Sequence, residues 1–307
     1  MRSFRDKEKA GLLARAKARD GLTVSVCIPA RDEEATVGEI VTTIRGELVD
    51  GVRLVDEVIV LDDGSLDATA RVAMRAGARV WAVDEVPDGL PPGSGKGNAL
   101  WKALFVAEGD VVCFLDADVR NFGSHFVSRL LEPLVTRPEL GMVKSYYRRP
   151  LYGEPTGGGR VTELMARPLL SRLFPELAHF VQPLSGEYAA RRDVLEAVPF
   201  VQGWGVEVGL LIDVAERFGV DAIAQADLGV REHRNRPLED LGLQALAILV
   251  TGLRRAGLDR DQSDAVAELV RFDTTLEPER VAVEVRERPP MLTVPAYRAK
   301  FGRELTA

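Results

Sequence analysis

The chain has 307 residues, 46% of them hydrophobic and 28% charged, with a formal net charge of −7. That composition supports the core of one large α/β domain or two modest ones and excludes a disordered chain. The acidic balance, with no basic tract beyond short clusters such as Arg254 and Arg255, argues against a nucleic-acid partner. Cys27 and Cys113 each sit inside an apolar run and read as small buried hydrophobes, not as a disulfide framework or a zinc site.

The first stretch, "MRSFRDKEKAGLLARAKARD", is charged and helix-prone and lacks the apolar core of a signal peptide. No apolar run approaches the roughly 20 residues of a membrane span. The expectation is a cytoplasmic protein with no membrane partner. "LTVSVCIPA" (22–30) predicts a strand feeding a loop, and "DEEATVGEIVTTIRGELV" (32–49) a helix with acidic residues in its first turn. "VDEVIVLDDGS" (55–65) predicts a second strand, "LDATARVAMRAGA" (66–78) a helix and "RVWAV" (79–83) a third strand. "GNALWKALFVAEG" (97–109) predicts a helix and "DVVCFLDADV" (110–119) a fourth strand. Alternation of this kind predicts a mostly parallel central sheet with helices on both faces. Further on, "GEPTGGGRVTELMARPLLSRLF" (153–174) reads as a Gly-rich loop entering a helix. Helical pieces follow at 185–198 and 206–219, then a strand and loop at 222–237 and a long apolar helix near 238–256. That last helix is apolar over most of its surface and needs cover on more than one side, from the tail or from a second subunit. The Pro- and charge-rich end, about 284–307, is expected to wrap the surface or a partner.

In open α/β sheets ligands bind at the carboxyl ends of strands. Here Asp32 to Glu34, Asp62 to Ser65, and Asp116 with Asp118 all fall at such ends. Side chains two apart on a strand share a face, so Asp116 and Asp118 are expected to point the same way if the strand continues that far. Two carboxylates on one side repel unless a cation sits between or beside them, and a hard divalent cation is the usual resolution. An isolated D-x-D can instead cap a turn and face water. The two preceding acidic strand ends favour the metal.

The D-A-D after "VVCFL" resembles the D-x-D of GT-A glycosyltransferases, which have a nucleotide-diphospho-sugar transferase fold. "CIPARDEEATV" (27–37) and "VLDDGSLDAT" (60–69) resemble the two nucleotide-binding loops of that fold. "PGSGKGNALW" (92–101), "VKSYYRRPL" (143–151), "GGGRVTELMARPLL" (157–170), "QPLSGEYAARR" (182–192), "GWGVEVGLL" (203–211) and "DLGVREHRNRPL" (227–238) together resemble the glucosyl-3-phosphoglycerate synthase family. A mannosyl-transferring form has similar motifs. The resemblance spans roughly 20 to 260 and implies a retaining, metal-dependent hexosyltransferase. It would move mannose or glucose from GDP-mannose, GDP-glucose or UDP-glucose to the 2-hydroxyl of 3-phosphoglycerate, toward a compatible solute or a polysaccharide primer. The expected organisation is an N-terminal helical extension over 1–20 and a nucleotide-sugar half over 21–150. An acceptor half of the same domain would cover 151–260, and a tail over 261–307 would be a candidate dimer element. The expected assembly is a homodimer.

Carried onto this chain, the resemblance places Pro29, Ala30, Arg31, Glu33, Asp62, Ser65, Lys96 and Asp116 at the donor. It places Gly159, Arg160, Val161, Thr162 and Asn235 at the acceptor, and Asp118 with His233 on Mg²⁺ or Mn²⁺. Catalysis would involve Asp116, Asp118, Glu207 and the carbonyl of Leu184. The residues agree on their own chemistry. A Gly loop with one lysine suits a diphosphate, although Lys96 is followed by Gly, which breaks the P-loop pattern. Three glycines before Arg160 at a helix start suit an anion. Arg231, Arg234 and Asn235 around His233 are apt for anionic ligands, and Glu187 and Glu207 are expected to orient sugar hydroxyls. The chain departs from the glucosyl pattern in D-A-D for D-S-D, "LDDGS" for "LDSGS", Arg31-Asp32 in the first loop, and Trp204 at a Tyr position. Those departures leave glucose and mannose level. An inverting family-2-like transferase on another acceptor would want a Q-x-x-R-W motif, which does not occur. A sugar-nucleotide pyrophosphorylase would want a Gly-rich signature directly after the first strand. A non-catalytic nucleotide-sugar-binding protein would bind donor without turnover.

Overall fold

The structure, a computed structural model, describes residues 2–151, 154–232, 238–259, 266–272 and 275–303. Helix α1 (Arg2–Arg19) precedes β1 (Val24–Ala30) and α2 (Val37–Ile44), which continues into a wider turn over Arg45–Val49. Next come β2 (Glu57–Asp62), α3 (Thr69–Arg75), β3 (Arg79–Ala82), α4 (Lys96–Val106), β4 (Val111–Phe114) and α5 (His125–Thr136). The second half holds β5 (Met142–Arg148), a short pair β6 (Pro150–Leu151) and β7 (Glu154–Gly157), α6 (Arg167–Leu173), β8 (Tyr188–Arg191) and α7 (Arg192–Glu196). It continues through β9 (Phe200–Val201), α8 (Val206–Phe218), β10 (Ile223–Val230) and α9 (Leu238–Arg255). A hairpin of β11 (Val266–Phe272) and β12 (Pro278–Glu284), then β13 (Glu287–Arg288) and α10 (Pro295–Phe301), complete it.

Seven strands form one sheet in the order β10-β5-β8-β4-β1-β2-β3. All neighbours are parallel except β8, which runs antiparallel to both β4 and β5. Strands covered on both faces must be apolar on both, and the period of two divides them between two cores. Cys27, Ile59, Leu61, Val112 and Phe114 face a core closed by α4, α6, α8 and α10. Val26, Ile28, Val58, Val60 and Cys113 face another closed by α1, α2 and α5. Among the described residues no helix is long and apolar enough to cross a membrane.

The α/β reading with a mostly parallel sheet holds. Several elements differ from expectation. The helix expected over 32–49 begins only at Val37, because Asp32, Glu33 and Glu34 bond to the neighbouring loop and Asp32 takes a left-handed φ of 55°. The helix expected over 185–198 is instead β8 followed by α7. Its Ala-rich sequence favours a helix locally, but the slot between β4 and β5 supplies ladder partners on both edges. Strand β5 and the β11–β12 hairpin escape the sequence reading. The hairpin supplies the cover that α9 needs: Ala247, Val283 and Val285 form a small core with Leu243, Leu246, Val250, Ala267 and Leu269. Nor does the tail only wrap the surface, for Tyr297 of α10 is fully buried in the main core.

Candidate active site

Three strand ends of the parallel run meet on one side of the sheet. Ala30, after Pro29, ends β1 and pairs with Asp62 at the end of β2. The loops that follow are laced together. Asp32 N–H donates to Ser65 Oγ at 3.1 Å, and Asp32 Oδ1 accepts the Leu66 N–H at 2.7 Å. Glu33 N–H donates to Thr69 Oγ1 at 2.8 Å, and Glu34 Oε2 accepts the Ala68 N–H at 2.9 Å. Thr36 Oγ1 donates to the Ala117 carbonyl at 2.6 Å and so ties the first loop to the D-A-D turn. Most of this polar sequence bonds the loops to one another. What remains open is Asp62 Oδ1, which is buried with no partner. Asp63 stands beside it; burial pushes its carboxyl up and the Arg31 guanidinium draws it back down.

The fourth strand stops at Phe114, so Asp116 and Asp118 are not on a strand face as expected; they lie in the turn beyond it. They converge because one cation holds both. Arg231 Nη2 donates to Asp116 Oδ2 at 2.8 Å and to Asp118 Oδ1 at 2.7 Å, while its Nε donates to Glu187 Oε1 at 2.6 Å. Glu187 Oε2 accepts from the Tyr147 hydroxyl at 2.7 Å, and Arg149 Nη2 donates to that hydroxyl oxygen at 2.9 Å. Two expectations fall here. Arg231 is 2% exposed and faces the protein's own carboxylates, not an anionic ligand. Glu187 is 0% exposed with both oxygens engaged, so no sugar hydroxyl reaches it.

Lys96, at the start of α4, lies 2.6 Å from Asp116 Oδ1 and 2.7 Å from Glu207 Oε1. Burial alone would raise the Asp116 carboxyl, but Lys96 and Arg231 hold it well below the usual carboxylate range. Burial alone would lower the Lys96 ammonium, but Asp116 and Glu207 hold it well above its usual value. Gly186 makes this packing possible, since a Cβ there would sit 2.4 Å from Asp116 Oδ2. Lys144 donates to the Ser185 carbonyl at 2.7 Å, and burial pulls its ammonium down to about 8. Leu184, half-buried against the core, precedes that serine. Several buried polar atoms around the cluster have no partner, among them Ser185 Oγ, Tyr188 Oη and Ser145 Oγ.

The glycine-rich segment leads into the wide turn Thr162–Ala166. Gly159 has a φ of 78°, a left-handed value that favours glycine. Thr162 is buried, and Arg160 and Val161 are half-buried. The Gly158 N–H donates to the Arg149 carbonyl at 3.2 Å, so this loop connects through Arg149 and Tyr147 to Glu187 and Arg231. Arg149 Nε is buried without a partner. Sequence reasoning assigned no role to Tyr147 and Arg149. Their signal is spacing, since residues two apart share a strand face, but "VKSYYRRPL" gives no strand by its sequence pattern.

His233 and Asn235 lie outside the described residues. Glu232, just before them, accepts the Arg120 N–H at 2.9 Å, two residues beyond Asp118. Among the described residues no group of three His, Cys, Asp or Glu is placed to hold a metal ion. The donor chemistry nonetheless fits a hard cation: Asp118 offers carboxylate oxygen, 28% exposed, beside a second carboxylate already drawn toward a shared positive charge.

A family model described as glycosyl transferase family 2 matches residues 25–197. The glucosyl-3-phosphoglycerate synthase of Mycolicibacterium paratuberculosis is 52% identical over 248 residues, covering 78% of this chain and 74% of the relative. That of Petrotoga mobilis is 41% identical, covering 95% of this chain and 93% of the relative. The crystal structure of glucosyl-3-phosphoglycerate synthase from Mycobacterium tuberculosis in complex with Mn²⁺, uridine-diphosphate-glucose and phosphoglyceric acid matches with a TM-score of 0.82 and 48% identity. That match covers 91% of this chain and 93% of the solved one.

Proposed function

Because the chain belongs to the glucosyl-3-phosphoglycerate synthase family of glycosyltransferases, we propose that it moves glucose from UDP-glucose to the 2-hydroxyl of 3-phosphoglycerate. The observation that carries this is one continuous network. The D-A-D carboxylates and Lys96 at the strand ends connect through Arg231, Glu187, Tyr147 and Arg149 to the Gly159 loop. This network supports a reading in which a metal-bound diphosphate lies beside a phosphorylated acid. The relatives' names support glucose over mannose, and a solved relative holding UDP-glucose supports a uridine donor over a guanosine one.

In this reading Pro29, Ala30, Arg31, Glu33, Asp62 and Ser65 line the base and ribose pocket, with Asp62 Oδ1 open to a base N–H. Asp118 would hold Mg²⁺ or Mn²⁺ together with His233. The cation, when bound, offsets charge on the leaving diphosphate. Lys96 binds the donor and keeps Asp116 ionised. Glu207 orients a sugar hydroxyl. Gly159, Arg160, Val161, Thr162 and Asn235 seat the acceptor so that its hydroxyl faces the anomeric carbon beside the Leu184 carbonyl. Transfer is on the front face with retention, and the departing diphosphate takes the acceptor proton.

The working form is read as a cytoplasmic homodimer. The outer face of the β11–β12 hairpin, which exposes Val266, Val270 and Phe272, supports the second copy. A donor-by-acceptor screen with and without EDTA tests the function. UDP-glucose with 3-phosphoglycerate should be the best pair, and EDTA should abolish turnover. Proton NMR should show an α-anomeric product; a β-anomeric signal would favour the inverting family-2 reading. Light scattering at micromolar concentration should give a dimer.

A further inference from the structure

The C-terminal segment reaches the glycine loop that carries Lys96. Strand β13 pairs antiparallel with β9, with Arg288 opposite Phe200. The Arg288 side chain turns inward, and the residue is 4% exposed. Its Nε donates to Asn98 Oδ1 at 2.7 Å and its Nη1 to the Pro91 carbonyl at 2.8 Å. Its guanidinium carbon lies 5.2 Å from the centre of the Trp101 ring, whose Nε1 donates to the Pro289 carbonyl at 2.8 Å. One side chain thus grips the loop before Lys96 and the first turn of α4 after it.

The loop has little room to relax. A Cβ on Gly93 would sit 2.2 Å from Arg288 Nη2 and 2.3 Å from Gln202 Oε1. The Ser94 N–H donates to that Gln202 oxygen at 3.1 Å, and the Asn98 N–H donates to the Gln202 carbonyl at 3.1 Å. Gln202 in turn is held by the strap, since its N–H donates to the Arg286 carbonyl at 2.8 Å. Five residues beyond Gln202 stands Glu207, the second carboxylate on Lys96. Among the described residues no carboxylate lies within ion-pair distance of Arg288, and its Nη2 has no partner. A buried charge left this way costs stability.

We propose that Arg288 is a positioning residue for donor binding: it acts through Lys96 by fixing the 91–98 loop between the C-terminal strap and Gln202. The proposal rests on the reading of Lys96 as a donor-binding group. Arg288 itself touches no reacting atom.

The test uses Arg288→Met, Lys96→Ala and the double variant of the full chain. UDP-glucose with Mn²⁺ is titrated by calorimetry without acceptor, and steady-state rates are measured with both substrates. Arg288→Met should weaken UDP-glucose binding about tenfold while the KM for 3-phosphoglycerate stays within about twofold. The double variant should bind UDP-glucose no more weakly than Lys96→Ala alone, because both changes disable one device. If Lys96→Ala leaves donor binding unchanged, the reading of Lys96 fails. If Lys96→Ala weakens it but Arg288→Met does not, the proposal for Arg288 alone falls. Equal losses for both substrates, or losses that add in the double variant, would show a general structural role and overturn it as well. Should Arg288→Met show no cooperative melt, Arg288→Lys carries the same comparisons. It keeps the charge without the planar fork and should weaken UDP-glucose binding roughly threefold.

Discussion

Arg231→Met removes the cation that three carboxylates share. The guanidinium is 2% exposed and bonds Glu187, Asp116 and Asp118 at 2.6, 2.8 and 2.7 Å. Asp116 would keep Lys96 at 2.6 Å, and Asp118, with its side chain 28% exposed, would gain water. The cost therefore concentrates on Glu187, which is fully buried. Removing one partner of a buried pair costs about 3–5 kcal/mol, because it strands the other charge. At roughly 2 °C per kcal/mol for a chain of this size, the thermal midpoint should fall by about 6–10 °C. Added Mn²⁺ separates this account from a plain packing loss. In the parent protein the cation meets an Asp118 already shared with Arg231. In the variant it meets two carboxylates that have lost their common partner. Scanning fluorimetry should show a larger Mn²⁺-induced rise for the variant than for the parent. A midpoint in EDTA within about 1 °C of the parent, or equal Mn²⁺ shifts in both proteins, would refute the reasoning.

Other outcomes follow from the same geometry. Asp118→Ala should lose Mn²⁺ binding, read by electron paramagnetic resonance, and metal-dependent transfer, while its circular dichroism stays that of the parent. Arg160→Ala should weaken 3-phosphoglycerate binding about ten- to a hundredfold in calorimetry, with UDP-glucose binding little changed. Lys144→Met should change how stability depends on pH. Burial lowers the Lys144 ammonium from 10.5 to about 8, so between those values the unfolded chain holds a proton that the folded chain has lost. The contribution of this lysine to stability therefore rises with pH across that window. Denaturant unfolding should show the parent gaining on the variant by roughly 1.4 kcal/mol per pH unit between pH 8 and 10. Parallel curves would mean that Lys144 is not held in that state.

The readable part of this protein was local. Runs such as "VSVCIPA" and the "VIVL" centre of β2 are apolar at every or nearly every position, as strands covered on both faces must be, and the spacing of helices between them implied the parallel half of the sheet. Carboxylates at or just beyond the ends of β1, β2 and β4 were legible in the order of the chain alone. The resemblance singled out Lys96, Asp118 and the Gly159 loop as candidates. What the chain order hid is which charge meets which. Arg231 stands 115 and 113 residues from the two aspartates it joins, and Arg288 stands 190 from the asparagine it grips. No periodicity reports such a pairing, because it depends on how strands from distant parts of the chain are ordered across the sheet. The segment "YAAR" shows the same limit at the level of secondary structure: its alanines favour a helix locally, but two open strand edges decided it. Sequence thus determined the frame and the strand ends at which its carboxylates gather. Tertiary structure decided that the D-A-D pair is held by a buried guanidinium and that Glu187 faces inward, because a charge taken out of water settles wherever the fold brings it an opposite one.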